Sequence, residues 1–248
     1  MKVTLQPSGL VLDVDSGENL LKAAQRQGLQ CPQSCRNGNC HICAALLVEG
    51  RVRQDGTSRE SGEIFACLAE PEQDCVLQWY GVLAPGELPL RKISCQVLEC
   101  ALLGGDVWRV RLLAPAGKLP RYHAGQYLLI EAADGEQVAL SLASAPHQGR
   151  ELELHILASE ERAVALVAQL QCDRLARVQL PFGDTHLAQL PDGPLLLIAA
   201  GTGMAQMHSL IEHCLEQGFV YPIHVYWGVR HAEDFYRVSP WADWQQMH

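Results

Sequence analysis

The sequence predicts a multidomain chain of three parts: a small α+β unit, an antiparallel β-barrel and a partial α/β domain. Three observations carry that expectation. Before residue 80, short alternating strands surround one helix and a loop dense in cysteine. Between about residues 91 and 190, six short strand-like segments recur with a single helical interruption. From residue 194 an apolar run leads through G-x-G into an amphipathic stretch, the pattern of a buried strand, a tight turn and a helix. At 248 residues, 48% of them hydrophobic, the chain is long enough for two or three cores.

In the first part, "KVTLQPSGLVLDV" alternates apolar and polar residues on both sides of a turn and reads as a β-hairpin. "SGENLLKAAQRQGL" reads as a short helix, with Ser16 as candidate cap, Gly28 as stop, and Leu20, Leu21 and Ala24 on its buried face. "AALLVEGRV" and "CVLQW" at 75–79 are further strands. The unit is expected to span 1–80. "YGVLAPGELPL", with two prolines and two glycines, supplies a linker over 81–90.

The stretch "CPQSCRNGNCHIC" places four cysteines in thirteen residues. A disulfide knot, a zinc site and an iron–sulfur cluster compete for it. The start "MKVTLQPSG" lacks the layout of a signal peptide, and the longest apolar run is too short to span a bilayer. A cytoplasmic location is therefore expected, where thiols stay reduced, and the disulfide reading recedes. Cys35, four residues, Cys40, two residues, Cys43 and a distant Cys67 match the C-x4-C-x2-C…C spacing of plant-type [2Fe–2S] ferredoxins. Asn37, Gly38 and Asn39 suit the close, irregular path that aims backbone N–H groups at the cluster. Zinc stays open as the alternative, since Cys40-x2-Cys43 with two more thiols makes four donors. Zinc ribbons and fingers, however, show paired knuckles, and only one short pair is present.

Residues 1–80 thus resemble a plant-type ferredoxin, which implies a β-grasp fold. The resemblance implies that Cys35 and Cys40 hold one iron, and Cys43 and Cys67 the other. Cys31 falls outside the spacing and reads as a buried non-ligand. Cys75, Cys95, Cys100, Cys172 and Cys214 are scattered and read mostly as small core residues.

Over 91–190, "YHAGQYLLI", "LSLASAP", "LELHILASE" and "VQLPFGDTHL" resemble the flavin-binding barrel of the ferredoxin–NAD(P)H reductase superfamily. Over 191–248, "PLLLIAAGTGMAQMHSLI" and "IHVYWGVRHAEDFY" resemble the start of its NAD(P)-binding α/β domain. This module order is that of the electron-transfer reductases serving bacterial oxygenases and deoxysugar dehydratases. The last two modules also resemble stand-alone NAD(P)H:flavin reductases. The order makes chemical sense. Nicotinamide gives up two electrons as a hydride, the cluster takes one, and a flavin (FAD or FMN) handles either number.

The resemblance assigns Leu140, Ser141, Leu142 and Ser144 to the flavin, with Ser141 as the catalytic hydroxyl facing the reactive flavin nitrogen. An ordinary strand serine is the plain alternative. The family's arginine and aromatic are replaced here by Val138 and Leu140, so the usual phosphate anchor is missing. The second phosphate loop reads "SEERAVAL", whose Glu160 and Glu161 repel a diphosphate. Weak flavin binding is the expectation. Gly201 and Gly203 allow close approach of a dinucleotide pyrophosphate, with Thr202 as a possible helix cap. A plain strand-to-helix turn is the competing account of this G-x-G. Arg230 is the candidate for the adenosine end, against an ordinary surface arginine. His186, His208 and His231 show no metal-ligand spacing.

The third part holds about 58 residues before the chain stops at His248, whereas the resemblance implies further βα units. A piece of a longer protein or a shortened relative is expected. The formal charge of −9, with no Lys/Arg stripe, argues against nucleic acid. The sequence therefore points to an NAD(P)H-dependent iron–sulfur flavin reductase, an electron-transfer oxidoreductase delivering electrons to a partner such as an oxygenase or dehydratase. The alternative is a non-enzymatic [2Fe–2S] carrier whose barrel and third module only dock partners.

Overall fold

The computed structural model describes residues 1–187, 189–236 and 244. The tail "RVSPWADWQQMH", in which the sequence shows no further strand, falls outside the described residues except for Trp244. The chain forms two compact units, Met1–Pro89 and Leu90–His248. No helix among the described residues is long and apolar enough to cross a membrane.

In the first unit, β1 (Lys2–Gln6) and β2 (Val11–Asp13) pair antiparallel as the hairpin predicted from alternation. Helix α1 (Leu20–Arg26) follows, and then β3 (Ala44–Glu49), β4 (Val52–Gln54), β5 (Thr57–Arg59), β6 (Gly62–Phe65), β7 (Glu70–Pro71) and β8 (Cys75–Gln78). The main sheet has the order β2-β1-β8-β3-β6, with β1 and β8 parallel. A smaller sheet, β5-β4-β7, lies beside it in sequence. Helix α1 buries Leu20, Leu21, Ala23 and Ala24 against Val3, Leu5, Leu12, Leu77 and Trp79. Each buried leucine contributes about 2 kcal/mol by removal from water.

The helix cap is not Ser16. Asn19 starts α1 from an extended conformation, and its Oδ1 accepts the amide of Lys22 at 2.9 Å. Ser16 lies in the turn before it and is too early by three residues. Gly28 does stand just past the helix, at φ +75°.

The second unit begins with a six-stranded antiparallel sheet: β9 (Arg91–Gly104), β10 (Val107–Leu113), β11 (Tyr127–Glu131), β12 (Gln137–Ser141), β13 (Glu151–Leu157) and β14 (Leu175–Phe182). Its order is β12-β11-β14-β9-β10-β13, and a bridge between Leu142 and Leu154 joins the two end strands and closes the barrel. Helix α2 (Glu161–Asp173) lays Leu166, Val167 and Leu170 on the barrel core. After it, β15 (Leu195–Ala200), α3 (Met204–Glu216) and β16 (Ile223–Gly228) form a βαβ unit with parallel strands. Helix α3 packs against β15, and the strands alternate, so Leu196, Ile198 and Tyr226 remain exposed.

The cap assignment is testable. Asn19→Ala is expected to lower the stability of the first unit by about 1 kcal/mol. Ser16→Ala should stay within about 0.5 kcal/mol of the parent. Denaturant unfolding of the two variants checks this, and equal losses would return the cap to Ser16.

Candidate metal centre and nucleotide turn

The cysteine loop is held open by backbone geometry. Arg36 and His41, each the residue after a cysteine, sit in the left-handed region at φ 59°, and Gly38 sits at φ 81°. Such turns swing successive N–H groups to one side, making a nest for negative charge. The amide of Cys40 donates to Cys35 Sγ at 3.3 Å. Hydrogen bonds from the Asn37 amide and the Cys40 thiol, with smaller ones from the amides of Cys40 and Asn39, bring the Cys35 thiol down to about 7, below the ordinary range, although it is exposed. The amide of Gly38 is aimed at Cys67, which ties the loop to the distant fourth cysteine.

Cys67 is placed by the helix. The first amides of α1, at Leu20 and Leu21, donate to the carbonyls of Ala69 and Ala66 at 3.0 and 2.9 Å. The Ala66 amide in turn donates to the Cys43 carbonyl at 3.1 Å. Cys43 and Cys67 are both buried, with their sulfurs 3.3 Å apart. Burial, followed by the neighbouring Cys43 thiol, raises Cys67 to about 11. Among the described residues no three His, Cys, Asp or Glu side chains converge on one point where a single ion would sit. Cys43 and Cys67 form one close pair, and amides are aimed at Cys35 and at Cys67. An all-cysteine donor set with amides aimed at its sulfurs fits the negative charge of a two-iron cluster.

Cys31 is half-buried against the core of the unit, and burial raises its thiol to about 11. Cys75, Cys95 and Cys214 are buried, Cys100 is half-buried and Cys172 is exposed.

In the barrel, Ser141 ends β12 opposite Tyr127 of β11, whose ring stacks on Phe182 at 5.6 Å. Leu140 and Ser141 are both half-exposed but lie on opposite faces of β12, and Leu140 packs against the barrel core. Leu142 and Ser144 are different. Leu142 is fully enclosed in the barrel core. The Ser144 hydroxyl lies 3.0 Å from Tyr122 Oη and accepts the Glu153 amide at 3.0 Å. Val138 packs on the core, Glu160 caps α2 without a side-chain bond, and Glu161 lies in its first turn. Arg162 comes within 3.8 Å of Asp134. Val138, Glu160 and Glu161 offer no positive charge to a phosphate.

The G-x-G turn, Gly201–Gly203, is one turn of 3-10 helix leading into α3. Thr202 makes no side-chain cap, which corrects the expectation from its position. Gly203 is the N-cap, so no side chain of the cap competes for the first amides of α3. The register Ala200↔Gly228 brings the turn and the exposed Arg230 to the same carboxyl-end edge of β15 and β16. Trp227 Nε1 donates to the Gly201 carbonyl at 2.9 Å and fixes the turn from below.

Several residues to which the sequence gave no site role join these pieces. Ser209 of α3 donates to the Ser144 carbonyl at 2.6 Å, and His208 Nδ1 donates to the Ala143 carbonyl at 2.8 Å. Gln206 donates to the Gly125 carbonyl at 2.7 Å. Tyr236 meets Trp227 edge-on, and its hydroxyl bonds His155 Nδ1 at 3.2 Å. Burial holds His155 below its ordinary value, against the pull of Glu153, which its Nε2 meets at 3.0 Å. They lie in the quoted strings "GTGMAQMHSLI", "LELHILASE" and "IHVYWGVRHAEDFY", which do not reveal which residue meets which. His186 stacks on His123 at 4.7 Å, and His231 is exposed.

A cysteine nest, a barrel and a nucleotide turn in this order define an iron–sulfur electron-transfer oxidoreductase. Residues 3–72 match the family model for a 2Fe-2S iron-sulfur cluster binding domain, and residues 197–248 match the oxidoreductase NAD-binding domain. The chain is 32% identical to the reductase subunit of an aromatic O-demethylase from Amycolatopsis sp., covering 100% of this chain and 78% of that protein. It is 28% identical to terephthalate 1,2-dioxygenase reductase component 1 of Comamonas sp., over 99% of this chain and 75% of that one. An NAD(P)H-flavin reductase of Vibrio harveyi shares 38% identity over 56% of this chain and 60% of its own length. The crystal structure of Amycolatopsis cytochrome P450 reductase GcoB superposes with a TM-score of 0.58 at 27% identity, covering 100% of this chain and 78% of that one. The chain belongs to the family of NAD(P)H-dependent reductases that join a [2Fe–2S] ferredoxin domain to a flavin- and NAD-using oxidoreductase module. Its cofactors are accordingly a [2Fe–2S] cluster, a flavin and NAD(P)H.

Gly38 gives a direct test of the nest. A Cβ there would lie 2.7 Å from Leu68 Cδ1, in a backbone region that costs non-glycine residues about 1–2 kcal/mol. Gly38→Ala should release iron to a chelator faster than the parent, with equal initial loading. Identical release rates would mean that the loop tolerates a side chain and the nest is not strained.

Proposed function

We propose that residues 1–80 form the electron-exit domain, with Cys35 and Cys40 on one iron and Cys43 and Cys67 on the other. The linker expected over 81–90 is shorter than that, since Val82 is buried in the core of the first unit and Leu83 pairs with Gln30. Residues 91–190 present the Ser141 hydroxyl to the flavin ring, with Leu140, Leu142 and Ser144 holding the loop in shape from inside. Residues 191–248 receive the dinucleotide at Gly201, Thr202 and Gly203, with Arg230 at its adenosine end. The partner is a redox acceptor protein such as an oxygenase or dehydratase, and the place of work is the cytoplasm. Ten unpaired cysteines support that compartment.

The observation that carries this reading is the pairing of thiols inside an amide nest. When bound, the cluster moves single electrons and the flavin links them to the two-electron chemistry of nicotinamide. The chain's own part is positional. The amides of residues 37–40 offset thiolate charge, Ser141 offers a hydrogen-bonding hydroxyl at the open end of β12, and α3 holds that loop through Ser209 and His208.

Cys35→Ser, Cys40→Ser, Cys43→Ser and Cys67→Ser should each abolish or severely weaken cluster retention, read as iron and labile sulfide per chain. Cys31→Ser should retain the cluster. Loss in Cys31→Ser with retention in Cys35→Ser would show that the thiols are wrongly assigned.

The missing phosphate clamp leads to a second expectation. Purified protein should hold flavin below one per chain and release it on dilution. Val138→Arg with Leu140→Tyr should tighten binding through a charge-assisted phosphate contact. Tight binding of FAD by the parent, with most of the affinity coming from the adenine half, would sink this reading.

A further inference from the structure

We propose that the exposed rim of the cysteine loop, built from Arg36, His41 and Ile42, docks an acceptor protein that carries carboxylates around its own redox centre. The proposal rests on the electron-transfer reading and names the kind of partner that reading requires.

The charge distribution is the first observation. The chain is acidic overall at −9, yet no Asp or Glu occurs between Glu18 and Glu49. The charged residues in that interval are Lys22, Arg26 and Arg36, and Arg26 is bound to Glu18 at 2.7 Å. Apart from the thiols themselves, the side chains of that loop are thus neutral to basic.

Backbone geometry is the second. Arg36 and His41 occupy left-handed positions that glycine would fill without strain. Both side chains are exposed, one after Cys35 and the other after Cys40. The nest needs the backbone conformation, but it does not need an arginine. Among the described residues, Arg36 makes one hydrogen bond, from Nε to Gln33 Oε1 at 3.2 Å. In the same unit Arg26, Arg51 and Arg53 each meet a carboxylate. The flat fork of Arg36 keeps its terminal donors for an incoming carboxylate.

The third observation is apolar. Ile42 is 51% exposed between Cys40 and Cys43. His41 leans on Phe65 at 4.5 Å, and its Nδ1 lies 3.6 Å from Glu63. Glu63 thus places one carboxylate at the His41 side of the rim. One dry apolar contact beside one unpaired guanidinium matches the make-up of a small transient interface. A basic acceptor would instead bring a like charge against Arg36.

The test uses the intact chain with its cluster and two ferric haem proteins of opposite charge, acidic cytochrome b5 and basic cytochrome c. Affinity of the oxidised chain for each is measured by calorimetry at low salt, where no electron moves. The chain is then reduced with dithionite, freed of excess, and mixed with each cytochrome, so that one electron passes from the cluster to each ferric haem. Arg36→Glu should weaken binding and slow reduction of cytochrome b5 by about fivefold, with the opposite shift for cytochrome c, both fading at about 0.5 M salt. Lys118→Glu makes the same charge change in the other unit and should leave both values near the parent. Equal effects of the two variants, or an effect of Arg36→Glu in the opposite sense, would overturn the proposal. Should Arg36→Glu fail to keep iron and sulfide, Arg36→Gln and the salt dependence of the parent decide. Binding of cytochrome b5 that strengthens with salt would overturn the proposal, and binding that weakens would support it. A reduced chain that passes electrons to neither haem would overturn the electron-transfer reading itself.

Discussion

Backbone amides pointed at sulfur are the constraint on which the first unit is built. Thiolates crowded into one loop repel one another, and water would otherwise have to supply the compensating dipoles. Here the amides of Asn37, Gly38, Asn39 and Cys40 supply them. Pointing four amides inward forces left-handed backbone at Arg36, Gly38 and His41. The fourth sulfur then has to come from another part of the chain. That explains why the start of α1 is spent on the carbonyls of Ala66 and Ala69, and why Ala66 is bonded to Cys43. The hairpin and the sheet give α1 a surface to lie on.

In the second unit α3 plays the corresponding part. Its first turn faces the nucleotide edge, and Ser209 lies five residues beyond Met204, roughly 7.5 Å along the axis at 1.5 Å per residue. From there it bonds the loop that follows Ser141. One rigid rod thus sets the position of both the dinucleotide turn and the flavin loop. Trp227 and Tyr236 brace the same arrangement from β16 and the segment after it.

The cysteine spacing was legible because covalent ligand geometry leaves little freedom in local sequence. The six barrel strands were legible because a half-buried strand must alternate. The cap of α1 was misread because Ser16 and Asn19 have similar intrinsic preferences, and the choice between them falls to the contacts of Leu20 and Leu21 with the 66–69 turn. Strands β4 to β7 were missed because runs of two to four residues, without a hairpin pattern around them, carry little period. Leu142 and Ser144 were assigned to the flavin by resemblance, and their side chains are consumed inside the barrel. The bonds of Ser209, His208, Gln206 and Tyr236 span up to 81 residues of chain, a distance over which single-sequence patterns carry no information.

The buried ties between α3 and the barrel also bear on how such chains can be recombined. The sequence suggests three modules, and a shuffling experiment guided by it would cut near residue 190. That cut would leave the carbonyls of Ala143, Ser144 and Gly125, together with His155, facing whatever helix the new neighbour supplied. Each lost partner would strand a polar group in a closed interior. A cut between Pro89 and Leu90 keeps all of these bonds within one piece. The exchangeable parts of this protein are therefore two, and the barrel is inherited together with the helix that braces it.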